Sequence, residues 1–126
     1  MAFIRYNENP YGRSTIDCTV RALATFLDLD WDDVYVDLSV EGFIQKDMSH
    51  MNYIWDSYLT KHGYKRYWIS NECPNCKSVT RFTQMYPNGR YLLGIGDHVV
   101  PVIDGNYYDI WDSGKEIPLY FYKKGE

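Results

Sequence analysis

Residues 91–112 read YLLGIGDHVVPVIDGNYYDIWD, and the architecture turns on how this stretch folds back on itself. Tyr91 to Ile95, His98 to Ile103 and Tyr107 to Trp111 are dense in β-branched and aromatic residues, which suit a pleated, half-buried surface. Asp104-Gly105-Asn106 between the last two is turn chemistry, so these segments are predicted to form an antiparallel hairpin. With a three-residue loop Ile103 faces Tyr107, the numbers of paired residues sum to about 210, and His98 lies opposite Asp112 on the same face. A two-residue loop shifts the sum by one and puts His98 and Asp112 on opposite faces. Asp109 is the fallback partner of His98 where the hairpin bends or bulges.

Toward the N-terminus the period changes from two to between three and four. From Asp17, the residues Val20, Leu23, Ala24 and Leu27 recur on one helical face, with Cys18 in the first turn. A second, short helix is signalled by Asp30 as cap, Asp33 three residues on, and the apolar set Trp31, Val34, Tyr35 and Leu38. A third is expected from about Asp47 to His62, its stripe made by Met48, Met51, Trp55, Tyr58 and Leu59, with Gly63 beyond its end. Tyr64 to Ile69 reads as a strand, Ser78 to Tyr86 as a short helix, and Leu119 to Tyr122 as a last strand. Helices first and an antiparallel meander afterwards define an α+β class. Loop-rich interruptions are confined to residues 7–15 and 70–78, so residues 1–126 are expected to form one domain.

Composition narrows the function classes. A chain of 126 residues can bury a real core without staples, and 45% hydrophobic with 24% charged residues excludes overall disorder. Net charge is −4 and the basic residues are scattered, so nucleic acid is not an expected partner. No segment has signal-peptide or membrane-span hydrophobicity, so the expectation is a soluble cytoplasmic protein without membrane partners. The 13 tyrosines lean toward a sheet and a groove without saying what lies in the groove.

The constellation that carries chemistry is a thiol at a helix start with a histidine and a carboxylate some 80 residues later. A helix N-terminus presents unpaired N–H groups and the positive end of the dipole, both of which favour the thiolate. The thiolate then needs a histidine to share its proton and an acid or amide to orient the ring. Cys18 is the candidate nucleophile, His98 the base and Asp112 the orienter. Cys73 and Cys76 form a Cys-x-x-Cys knuckle, but zinc needs four ligands and the chain has no second such pair, so a plain loop is preferred over a metal site. Three cysteines also do not suggest a disulfide framework.

The run Asp17-Cys18-Thr19-Val20-Arg21-Ala22-Leu23-Ala24, followed by Gly96-Asp97-His98-Val99-Val100 and by Tyr108-Asp109-Ile110-Trp111-Asp112-Ser113, resembles the papain-like cysteine peptidases. It is most similar to small bacterial and phage members such as the bacteriocin-processing peptidases, over about residues 7–122. The resemblance implies a papain-like fold, a peptide or protein substrate, and no cofactor. It assigns Cys18 as nucleophile, His98 as base and then acid, and Asp112 as orienter. In the family a Gln or Asn ahead of the Cys completes an oxyanion hole with the Cys N–H. Gly12 stands six residues before Cys18 here, so the oxyanion candidates are Asn9 and Asp17. The expected function is a thiol hydrolase working through a thioester. The alternatives are an inactive scaffold with a binding or structural role, such as a phage-encoded component, and a thiol amidase or transferase.

Overall fold

The computed structural model describes residues 3–13, 17–69, 76–96 and 98–125. In chain order the elements are β1 (Phe3–Arg5), α1 (Cys18–Leu27), α2 (Trp31–Gln45), α3 (Asn52–Lys61), β2 (Tyr64–Trp68), α4 (Val79–Met85), β3 (Arg90–Ile95), β4 (His98–Ile103), β5 (Asn106–Asp109) and β6 (Tyr120–Lys124). The class is α+β, and the six strands form one sheet in the order β1-β5-β4-β3-β6-β2.

The sheet is mixed rather than purely antiparallel. β3, β4 and β5 make the expected meander, and β6 inserts between β3 and β2. β1, which the sequence pattern does not reveal, runs parallel to β5 with Phe3 beside Tyr107 and Arg5 beside Asp109. α1–α3 cover one face, where Leu23, Phe26, Trp55 and Leu59 pack with Leu92, Val99, Tyr120 and Tyr122. On the other face Val79 and Phe82 of α4 pack with Leu93, Val100, Val102 and Tyr107. Tyr107, Tyr120 and Tyr122 are therefore sheet core. Gly94 is required by this packing, since a Cβ there would stand 2.1 Å from the Tyr120 ring.

The hairpin corrects the expected register. Val102 pairs with Tyr107 and Ile103 with Asn106, so the loop is only Asp104-Gly105. Both have positive φ, 49° and 80°, the pattern of a type I′ turn whose twist matches that of the strands. Extending the register places Trp111, not Asp112, opposite His98, and the His98 and Trp111 rings lie 5.0 Å apart.

Two helices also depart from expectation. α2 extends well past Leu38, because its second half buries Gly42 and Glu41, which carry no apolar signal; Glu41 is held by Lys61 at 2.7 Å and Gln45 at 2.6 Å. α3 starts at Asn52, and Met48 and Met51, expected in its buried stripe, are exposed. Among the described residues no helix is long and apolar enough to cross a membrane.

Candidate active site

Cys18 is the first residue of α1, half-buried, and carries a thiol. Asp17 precedes it but its side chain does not cap the helix. The Asp17 carboxylate instead accepts bonds from Arg21 Nε at 2.7 Å, Trp31 Nε1 at 3.0 Å and Asn9 Nδ2 at 3.3 Å. Asn9 in turn accepts from the backbone N–H of Tyr11 at 2.9 Å and of Arg13 at 3.4 Å through its Oδ1. Asn9 and Asp17, expected near the oxyanion, are thus joined to each other in a strut beneath the helix start. Both Asp17 carboxylate oxygens are taken up by these three donors, so its side chain is unsuited to that role. The donors that helix geometry supplies at Cys18 are first-turn backbone N–H groups, which have no intrahelical acceptor.

His98, the first residue of β4, meets the thiol from the sheet, and its side chain hydrogen-bonds Cys18. Its Nε2 lies 2.7 Å from Asp109 Oδ2, which leaves Nδ1 as the ring nitrogen for the sulfur. Asp109 is buried and saturated: Ser113 Oγ donates to Oδ2 at 3.1 Å, the Ile110 N–H donates to Oδ1 at 2.8 Å, and Arg21 Nη1 stands 3.9 Å from Oδ1. The expected approach of Asp112 to His98 is not made. Asp112 is exposed and accepts from the Tyr107 hydroxyl at 2.5 Å and the Gly114 N–H at 3.0 Å; both bonds hold its carboxyl below the usual range. The physical reason is the two-residue turn, which gives Asp109 the parity of Trp111 and turns Asp112 away.

The electrostatics follow from this geometry. Burial raises the Cys18 thiol, but the His98 bond and charge, the Thr19 bond and the Arg21 charge outweigh it, and the net shift is downward from 9.0. Burial lowers His98, yet the bonds and charges of Asp109 and Cys18 carry it from 6.5 up to about 9. A depressed thiol beside an elevated imidazole shifts the pair toward thiolate and imidazolium.

Cys18 also lines an open cleft of about 760 Å³ with Thr19, Tyr35, Met51, Asp56 and Arg66. Arg21 and Ser113 were not singled out from sequence. The i, i+4 spacing of Asp17 and Arg21 was the available signal for the first; nothing local marks the second. Cys76 is disulfide-bonded, which corrects the thiol expected there and removes it as a thiolate donor to zinc; Cys73 lies outside the described residues. Among the described residues no group of three or more His, Cys, Asp or Glu is placed to hold a metal ion. Compared with protein families, curated proteins and solved structures, the chain matches none.

Proposed function

We propose that this protein is a thiol hydrolase of papain-like type, acting on peptides, with Cys18 as nucleophile, His98 as proton carrier and Asp109 as orienter. The observation that carries the proposal is the continuous Cys18–His98–Asp109 chain, in which a buried carboxylate fixes the ring that meets the thiol. The order of Cys helix, His strand and following acid supports the papain-like assignment. The Cys18 thiolate attacks the amide carbonyl carbon, and the oxyanion forms beside the first-turn N–H groups. His98 gives its proton to the leaving amine as the C–N bond breaks, leaving a thioester on Cys18. The neutral His98 then takes a proton from water, whose oxygen attacks the thioester; the acid departs and the thiolate and imidazolium return. Asp109, through its bond to Nε2, keeps Nδ1 aimed at the sulfur throughout.

Alkylation by iodoacetamide at pH 7 followed by peptide mapping tests the nucleophile. Fast modification of Cys18, lost in Cys18→Ala and slowed in His98→Ala, is the expected result; Cys18 reacting only as fast as an ordinary thiol overturns the proposal. Cleavage of a mixed peptide pool, read by mass spectrometry against Cys18→Ala, then separates hydrolysis from transfer. One observation favours a non-catalytic scaffold as the second reading: Asn9 is spent on Asp17, and loss of one oxyanion donor costs on the order of 10²–10³ in rate. A reactive Cys18 with no cleavage of any pool member is the result that selects it.

A further inference from the structure

β2 forms an outer edge of the sheet, and its Arg66 lines the Cys18 cleft from the face it shares with Tyr122, its partner on β6. The Arg66 guanidinium lies over two rings, 4.8 Å from the centroid of Trp68 and 5.6 Å from that of Tyr120. Two aromatic faces restrict the plane of the guanidinium, and a pre-oriented fork loses less entropy when it binds a partner. Among the described residues no acceptor lies within hydrogen-bond reach of the five Arg66 N–H donors, and the nearest acid, Asp56, approaches Nη1 only to 3.9 Å. Asp56 Oδ1 already receives the Tyr122 hydroxyl, so Asp56 holds the cation in place by charge without occupying it. An exposed arginine on an edge strand ordinarily keeps the edge soluble. Stacking on two rings, in the wall of a cleft that contains the thiol, is a different arrangement.

We propose that Arg66 is the carboxylate-recognising subsite of this cleft, taking either the C-terminal carboxylate of a peptide or the side chain of an Asp or Glu. A planar carboxylate matches the guanidinium fork in a two-bond geometry that no neutral amide reproduces. Asp56 beside it disfavours a second acid, so one carboxylate is read rather than an acidic run. The subsite rests on the peptide-hydrolase proposal for the identity of the ligand, but its test does not rest on turnover.

The test uses Cys18→Ala protein and equilibrium binding of short synthetic peptides, read by tryptophan fluorescence because Trp68 stacks on Arg66. One arm compares free-acid with amidated C-termini on peptides of neutral side chains. The other compares Glu with Gln within amidated peptides. The expected result is that acid members of one arm bind about tenfold tighter than their neutral counterparts, that Arg66→Gln abolishes the difference, and that Arg66→Lys restores part of it. The arm that shows the preference identifies the source of the carboxylate. Equal binding of acid and amide peptides, a preference that survives Arg66→Gln, or no binding of any acid member overturns the subsite. Iodoacetamide labelling of Cys18 in wild type is independent of all these outcomes, so failure of the subsite and failure of the thiol proposal are distinguishable.

Discussion

Two arginines, one in the charge network beside Cys18 and one lining its cleft, live in opposite worlds. Arg21, in the closed network on the Cys18 helix, is 9% exposed, bonds Asp17 at 2.7 Å and reaches toward Asp109. Arg66, lining the cleft, is 39% exposed and has its nearest acid at 3.9 Å. At the closed end each charge has a fixed partner: Asp17 with Arg21, Trp31 and Asn9, Asp109 with His98, Ser113 and the Ile110 N–H. Such an arrangement suits a site that must not reorganise while charge moves. At the open end the cation is oriented but has no hydrogen-bond acceptor among the described residues, which suits a site awaiting a ligand. A saturated network serves chemistry, and an unsaturated one serves recognition.

The largest expected effect breaks the closed end. Arg21→Met removes the cation from a buried carboxylate and should cost about 3–5 kcal/mol in urea unfolding, because Asp17 is left buried without its main partner. The double variant Asp17→Asn with Arg21→Met should recover part of that loss. A cost under about 1 kcal/mol for Arg21→Met would show the closed end to be far less saturated than its distances indicate.

Next in size is the chemistry that the closed end supports. An ordinary thiol near 9.0 is about 1% ionised at pH 7, so the most that losing the His98 pair can remove is roughly a hundredfold in thiolate. Asp109→Ala is expected to slow Cys18 alkylation at pH 7 by about ten- to a hundredfold. Asp112→Ala should leave it within about twofold, since its bonds go to Tyr107 and Gly114. Stopped-flow alkylation of both variants decides between the two acids of the hairpin.

That choice between acids measures what was legible in the chain. Cys18 and His98 could be paired from sequence because a helix start and a β-branched run each declare themselves locally. The orienter could not, because it depended on one residue of loop length: Asp-Gly fits a two-residue type I′ turn, and assigning Asn106 to the loop instead of to β5 moved the expected partner from Asp109 to Asp112. β1 was invisible because three residues carry no period, and its pairing with β5 spans about the whole chain. The buried half of α2 was missed because Glu41 is buried as an ion pair rather than as a hydrophobe. α3 was begun too early because Met48 and Met51 fit an apolar stripe that the chain does not bury.

A smaller effect sharpens the closed end through pH. His98 binds its proton more tightly in the folded chain, so its stabilisation is complete below pH 6.5 and is lost as pH rises through about 9. Cys18 is shifted the other way, so its stabilisation is complete above 9.0 and is lost as pH falls through its lowered value. Above the lowered Cys18 value and below about 9 the folded pair keeps one proton on His98, while the unfolded chain above 6.5 keeps one on Cys18. Equal proton numbers mean that the pair contributes no slope there. Cys18→Ala removes one side of this balance while Asp109 still holds His98 up. Its stability relative to wild type should therefore decline by about 1 kcal/mol as pH rises above 6.5. Parallel curves for the two proteins in urea titrations from pH 6 to 9 would show that the thiol and imidazole do not exchange their proton on folding.

The smallest expected effect lies at the open end. Arg66→Met keeps much of the apolar stem and loses only a long ion pair with Asp56 and the stacking on Trp68 and Tyr120. Exposed ion pairs and cation–π contacts each contribute up to about 1 kcal/mol, and no buried charge is orphaned because Asp56 remains partly solvated and bonded to Tyr122. Unfolding free energy should fall by no more than about 1–2 kcal/mol, less than the cost at Arg21. A loss matching that of Arg21→Met would mean that Arg66 is a framework cation after all, its guanidinium spent on holding β2 to α3 rather than kept for a ligand.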